Sequence, residues 1–420
     1  MTAFGTAAGG RGAALLAALV AAGCTPQGAS RPATSLESRL EPRVVARPTP
    51  APRGSLPVAV IFPTAGRHAL SGRQSLHGAR LAAEDLNGRG GIRGRPVALL
   101  AYETGSYFLD AREAATLAAR DGALALVGAN SSDLSMAIAE VAEARGLVQV
   151  SNVSTAQDLT VDPATGGPRA FVFRVCATDA AMGALLAAFA RDRLAARRTA
   201  VLYEVGRTYS ARLARSFVES FQDASGGRRV AEFFYLSQEI DFRPQLRDVL
   251  AFAPDALFVP GSFTDATLIA SQGAAIGLSA TLLGADGWSN PLLFKKGAPT
   301  RAAYFVDHCA PPAGFNDRYH QAFGQETHGC RAALAYDALG AVAEGLRSMG
   351  PLADADLGER LGTTRRRLRD AVAREDFKGL TGRVRFDPTG NRRTGMAVLE
   401  VLPRPGGVPG ARLFGWVGER

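Results

Sequence analysis

The chain alternates short apolar runs with helix-periodic stretches almost without a break from residue 58 to residue 284. Residues 58–62 read as a strand. Residues 75–87 read as a helix with Leu76, Ala79, Ala83 and Leu86 on one stripe, and 97–102 as the next strand. Helix 110–120 and strand 123–127 follow. After Cys176 the pattern restarts, with helices at 181–194, 210–224, 242–251 and 266–276 and strands at 200–203, 230–235, 256–260 and 281–284. Such units lay their strands parallel and cover both faces of the sheet with helices. One sheet of that many strands would be unusual, so the pattern predicts two doubly wound α/β lobes.

Residues 1–24 stand apart. Arg11 precedes an apolar stretch at 13–22 that is too short to span a bilayer and ends in small residues, as a secretory signal does. Its end, Val20-Ala21-Ala22-Gly23-Cys24, resembles a bacterial lipobox, with Ala21 where leucine is usual. That predicts a lipid-bearing Cys24 as first residue of the mature chain. Simple cleavage and an uncleaved anchor are the other readings. Pro26, Pro32, Pro42, Pro48, Pro50 and Pro52 make residues 25–55 an extended tether, whose arginines could also rest on anionic headgroups.

The formal net charge of +9 raises nucleic acid or an anionic surface as partners. The arginines are scattered, however, only three lysines occur, and no aromatic–basic stacking pattern accompanies them. No nucleic-acid partner is expected. The densest run, Arg365-Arg366-Arg367-Leu368-Arg369, reads as the solvated face of a helix. Cys176 lies in a strand-like segment and reads as an ordinary buried thiol. Cys309 and Cys330 could form a disulfide in an oxidising compartment, remain unpaired, or join His308, His320 and His328 in a metal site, although their spacing fits no compact zinc pattern. Neither HExxH, nor a P-loop, nor a nucleophile elbow is present. No enzymatic activity and no cofactor are expected.

The richest segment is 123–160, ALALVGANSSDLSMAIAEVAEARGLVQVSNVSTAQDLT. It reads as strand, polar turn, helix, strand, polar turn. Both turns fall at the carboxyl ends of strands, where open α/β sheets bind ligands. Ser131, Ser132 and Asp133 occupy helix-cap positions, so free amides and the positive helix end would meet a small anion there. The plainer reading of Ser131, Ser132 and Thr155 is that they only cap and turn.

This segment resembles the periplasmic solute-binding proteins of branched-chain amino acid ABC transporters. The likeness runs from about Pro57 to the C-terminus through HGARLAAEDLNGRGGIRGRPVAL (77–99), YEVGRTYSARLARSF (203–217), LLGADGWSN (282–290) and LTGRVRFDPTGN (380–391). The resemblance implies a type I periplasmic binding protein fold: two doubly wound parallel-sheet lobes joined by a three-segment hinge. Lobe one would hold 56–175 and 308–386, lobe two 176–307 and 387–417.

It also implies the ligand contacts. Ser132, with the neighbouring Ser131, matches the family's α-carboxylate site; Val153 matches a backbone contact, and Thr155 an amide-and-hydroxyl contact. Asp286 matches the acid that accepts a ligand ammonium, which would be the partner such a charge needs in a closed cleft. Tyr209 matches a cleft-lining tyrosine; its plain reading is a solvent-facing helix start, and that of Asp286 an Asx turn. Phe263 stands where the family has a paired-tyrosine turn, and Ser71 where an aromatic closes the side-chain pocket. Leucine, isoleucine and valine are therefore not safe assignments. The expectation is a monomeric, membrane-anchored, extracytoplasmic lipoprotein that captures an amino acid or close analogue and passes it to an ABC permease. A ligand-sensing subunit and a structural lipoprotein contacting cell-wall enzymes are the alternatives.

Overall fold

The computed structural model describes residues 44–222, 227–290, 292–294, 301–310, 312, 314–402 and 411–418. Cys24, the segment before it and most of the proline-rich tether lie outside them. The chain begins with β1 (Val44–Ala46), β2 (Leu56–Pro63), α1 (Ala69–Gly88), β3 (Val97–Thr104), α2 (Phe108–Arg120), β4 (Ala125–Gly128), α3 (Ser132–Arg145), β5 (Val148–Ser151) and β6 (Val172–Arg174). These strands form one sheet in the order β1-β3-β2-β4-β5-β6, parallel apart from β1. All eight residues of β2 are buried, as an apolar run between two helical layers must be.

The next stretch contributes α4 (Asp179–Asp192), β7 (Arg198–Glu204), α5 (Thr208–Gln222), β8 (Arg229–Tyr235), α6 (Arg243–Phe252), β9 (Ala256–Phe258), α7 (Phe263–Ala275), β10 (Thr281–Gly284) and β11 (Ala303–Asp307). The chain then returns to the first sheet with α8 (Phe315–Phe323), α9 (Arg331–Ser348), α10 (Asp354–Leu357), α11 (Leu361–Val372) and the hairpin β12 (Asp376–Gly379) and β13 (Gly382–Arg385). It crosses once more to β14 (Met396–Val401) and β15 (Ala411–Val417), which pair antiparallel at one edge of the second sheet, β15-β14-β11-β10-β9-β7-β8.

Three connections therefore join the lobes, and they lie side by side. Arg174 bridges to Asn391, and the Ala177 amide donates to His308 Nδ1 at 3.3 Å. Each sheet carries an apolar core on both faces. The contact of α1 with α9 rests on Gly78: a Cβ there would stand 2.0 Å from the Ala332 carbonyl oxygen.

Most expected elements are found, with α1 starting at Ala69, six residues before the expected start at 75. Cys176 is a free, wholly buried thiol whose pKa burial pushes up to about 12. Cys309 and Cys330 form a disulfide that ties the second crossing to the start of α9. Their sulfurs are thus taken, and the metal reading of that pair falls away. The arginine run is not uniformly solvated. Arg365 is 7% exposed and donates to the Ala119 carbonyl in the last turn of α2 at 3.0 Å and to the Ala123 carbonyl just beyond it at 2.7 Å. A helix face that meets another helix end needs a donor there, and the charge pattern alone could not show that meeting.

Candidate functional site

Each sheet reverses its winding once. In the first, β2 lies between β3 and β4, so the switch falls between the ends of β2 and β4; in the second it falls between the ends of β7 and β9. Crevices at carboxyl ends of strands flanking such a switch receive ligands in open α/β sheets. The predicted residues gather at these ends: Ser71 follows β2, Ser131 and Ser132 follow β4, Val153 and Thr155 follow β5. From the other sheet, Tyr209 follows β7, Phe263 follows β9 and Asp286 follows β10.

The β4 turn is held by a buried polar layer. Gly128 has φ +140, and a Cβ on it would lie 2.3 Å from the Ile61 carbonyl oxygen, so only glycine fits the step out of the strand. The Ala129 amide donates to Ser135 Oγ at 2.9 Å, Ser135 and Ser154 share a hydroxyl bond of 2.7 Å, and Gln149 Nε2 donates to the Gly128 carbonyl at 3.0 Å. Ser135, Ser154 and Gln149 tie the two lobe-one turns into one unit. Arg174, fully buried, adds a bond from Nη1 to the Ser154 carbonyl at 2.9 Å and one from Nη2 to Thr160 Oγ1 at 3.0 Å.

Ser131 is the N-cap of α3 by position, but its hydroxyl donates to the Asp133 side chain at 2.6 Å and accepts from no helix amide. The first amides of α3 therefore lack a side-chain cap. Ser132 Oγ accepts from the Ala156 amide at 3.3 Å, which joins the start of α3 to the Thr155 turn. Val153 is half-buried against the lobe-one core. Thr155 is buried; its carbonyl accepts from the Asp179 amide at 2.9 Å, and its hydroxyl tempers the rise in the Asp179 carboxyl's pKa. Asn130 is 8% exposed, with its amide nitrogen on Ser71 Oγ at 2.6 Å and its oxygen unpartnered.

On the facing side, Asp286 opens a short 3-10 turn. Its Oδ1 accepts from the Tyr209 hydroxyl at 2.5 Å, and its Oδ2 stands 3.7 Å from His308 Nε2, within ion-pair range. His308 Nδ1 accepts from Ala177, which leaves the ring proton on Nε2, facing the acid. Burial alone would raise the Asp286 pKa. His308, Tyr209 and Arg331 outweigh it and hold the carboxyl below its usual range. The acid thus has Tyr209 and His308 as partners already, so its charge does not by itself require a ligand ammonium. Tyr209 is no solvent-facing helix start, because its hydroxyl also accepts from the Gly287 amide at 3.2 Å. Phe263 packs on the lobe-two core one residue after Ser262, whose hydroxyl caps α7. The preceding Gly261 carbonyl abuts Gly287.

Asp179 was not among the expected residues. It is 4% exposed, its Oδ1 has no partner among the described residues, its charge bears on Tyr209, and that of Asp286 bears on it. Burial pushes its pKa up to about 6, against the pull of the Thr155 hydroxyl, with Asp286 adding to the rise. Its only sequence signal is a place in the first turn of α4, where an acid is ordinarily a helix-end feature. Its amide bonds the Thr155 carbonyl, and its carboxylate shares an electrostatic environment with Asp286 and Tyr209.

Two doubly wound lobes on a three-segment hinge, with polar turns of both at strand ends, define a hinged solute-binding protein. The chain belongs to the periplasmic binding protein family, whose model matches residues 55–404. Members of that extracytoplasmic family bind solutes and do not turn them over. The chain is 26% identical over 241 residues to the Leu/Ile/Val-binding protein BraC3 of Rhizobium johnstonii, covering 57% of this chain and 64% of that one. It is 24% identical over 234 residues to the Leu/Ile/Val-binding protein of Escherichia coli, 56% and 62% respectively. The matches thus span a little under two thirds of those relatives. Among solved structures, a leucine-binding protein of Thermotoga maritima superposes with a TM-score of 0.70 at 27% identity, over 86% of this chain and 99% of that one. A substrate-binding protein of Sphaerobacter thermophilus, at 20% identity and a TM-score of 0.74 over 87% and 98%, shares the fold. Among the described residues, no helix is long and apolar enough to cross a membrane.

Proposed function

We propose that this protein captures one amino acid, or a close analogue, between its lobes and hands it to an ABC permease. The observation that carries the reading is the run of polar groups from Ser132 and Thr155 through Asp179 to Asp286 and Tyr209. Uncapped amides of α3, with Ser132 beside them, suit an α-carboxylate. Asp179, with its open oxygen, and Asp286 suit the ammonium. Val153 offers backbone groups, while Phe263 and Ser131 border the space. The Rhizobium and Escherichia relatives are Leu/Ile/Val-binding proteins, which supports an amino-acid headgroup and leaves the side chain open. The lobes divide at 175/176, 307/308 and 386/387 in this account, and the protein works as a monomer tethered through a lipid on Cys24.

A ligand that touches both lobes favours the closed form in proportion to its differential affinity. The test is a thermal-shift screen over free amino acids, because a ligand that binds only the folded state raises the unfolding midpoint. A rise of several degrees with some amino acids supports the reading. A flat response to all of them, confirmed by calorimetry, contradicts it.

A further inference from the structure

A second cavity, lined by none of the cleft residues named above, lies where the third crossing leaves the β12–β13 hairpin for β14. It holds about 370 Å³, within the range of small-molecule sites. Four arginines line it, Arg383, Arg385, Arg392 and Arg393, and no acid is among its lining residues. Trp416 of β15 supplies part of the wall, so the hairpin and the second sheet both contribute.

The four arginines are not equivalent. Arg392 is 5% exposed and belongs to the frame: its Nη1 donates to the Val175 carbonyl at 3.1 Å and to Thr381 Oγ1 at 2.7 Å, its Nε to the Arg383 carbonyl at 2.9 Å, and Asp337 Oδ2 lies 4.0 Å away. Arg383 is exposed and grips Asp376 through two bonds of 2.6 Å, and Asp376 also feels Arg385. Arg385 and Arg393 are exposed, and neither side chain forms an ion pair among the described residues. The backbone sets these two against each other. Phe386 and Arg392 form an antiparallel bridge, and the Arg393 amide donates to the Arg385 carbonyl at 3.2 Å. Arg385 and Arg393 are thus directly opposite across the pair, on one face, and both line the cavity. Like charges so placed destabilise the pairing, and an anion between them relieves the repulsion.

We infer that this cavity is a second binding site, for a phosphate group carried on a larger molecule, with Arg385 and Arg393 on the phosphate and Trp416 beside the organic part. Guanidinium groups match phosphate oxygens with paired, directed bonds. A phosphate monoester brings about −1.5 to −2 charge and three acceptor oxygens, which suits two facing guanidiniums better than a single carboxylate does. The aromatic wall and the volume leave room for more than a bare ion. The recognised chemistry is the phosphate, whether it sits on a soluble ester or on a lipid headgroup. The inference does not depend on amino-acid capture in the cleft.

The experiment titrates the intact protein at physiological salt with phenyl phosphate, with phenol, and with monomeric dihexanoyl-phosphatidylglycerol, read by calorimetry and by tryptophan fluorescence. It is repeated with Arg385→Gln/Arg393→Gln and with Arg366→Gln, an exposed arginine on α11 that serves as control. The expected result is that one or both phosphate compounds bind, one per chain, while phenol does not. The double variant should weaken that binding about tenfold or more at an unchanged melting midpoint, and Arg366→Gln should leave it as it was. The fluorescence change should vanish in Trp416→Phe. Tighter binding of phenyl phosphate supports the site with a soluble ester as its ligand, and tighter binding of the lipid supports it with a headgroup. Binding of neither phosphate compound overturns the inference, as does phenol binding equally well. Phosphate binding that survives unchanged in the double variant overturns the assignment to these arginines.

Discussion

The Tyr209 hydroxyl donates to Asp286 Oδ1 at 2.5 Å while accepting from the Gly287 amide at 3.2 Å. Tyr209 thereby fixes where the carboxylate points before any ligand arrives. A preset acid costs less to organise on binding than a free one.

Tyr209→Phe keeps the ring and removes the donor. A hydrogen bond to a charged group is worth about 1.5–3 kcal/mol. Ligand affinity should fall roughly 10- to 100-fold, with the unfolding midpoint nearly unchanged. Calorimetry alongside a thermal melt checks both.

Asp179 gives the site a pH dependence with a definite sign. Its carboxyl titrates at about 6 in the folded protein against an ordinary 3.8. Below about 6 it is mostly protonated, and an incoming ammonium must drive the proton off. Affinity for an amino acid should therefore rise as pH increases from 5 to 7, then level. Asp179→Asn should bind more weakly at pH 7 and lose that rise. The same shift acts on stability in the opposite sense. Between the two values the unfolded chain binds fewer protons than the folded one, so this group's contribution falls as pH rises from about 4 through about 6. Melts of the ligand-free protein across that window, with Asp179→Asn as reference, read this term.

The fold was legible because its evidence is periodic. Apolar runs and helical stripes report strand and helix one residue at a time, and their alternation reports parallel pairing. The strands at the antiparallel edge, β14 and β15, were not read, since pairing partners far apart leave no local trace. For the candidate site, position was legible where a turn follows a strand: Ser131, Ser132, Thr155 and Asp286 do lie at strand ends. It was not legible where a residue's role depends on what folds against it. Asp179 sits in an ordinary helix-start position, yet Thr155 reaches it from one lobe and Asp286 influences it from the other. Arg365 belongs to a run of charges and is recruited individually to the end of α2. His308 was considered only as a metal ligand, yet it faces Asp286.

The Cys309–Cys330 disulfide closes a loop with a sequence separation of 21. Such a loop is worth about 3 kcal/mol through the entropy it removes from the unfolded chain. Cys309→Ala/Cys330→Ala, or mild reduction, should lower stability by about that much in a denaturant titration. The buried Cys176 should remain unreactive to thiol reagents until the chain unfolds.

Gly78 marks the tightest approach of α1 to α9. Gly78→Val forces the helices apart and should destabilise by at least about 1–3 kcal/mol, the range for overpacked cores. Gly88→Ala, at the far end of the same helix with nothing within 4 Å of its added Cβ, is the neutral control.

The account turns on a single amino acid held at once by the α3 turn and by Asp286. Titration calorimetry of the wild-type protein and of Asp286→Ala against whichever amino acid raises the melting midpoint most tests this directly. The prediction is one ligand per chain and an affinity at least 100-fold weaker in the variant, whose fold is retained. Equal affinity in the two proteins would contradict it, as would the absence of any bound amino acid in either.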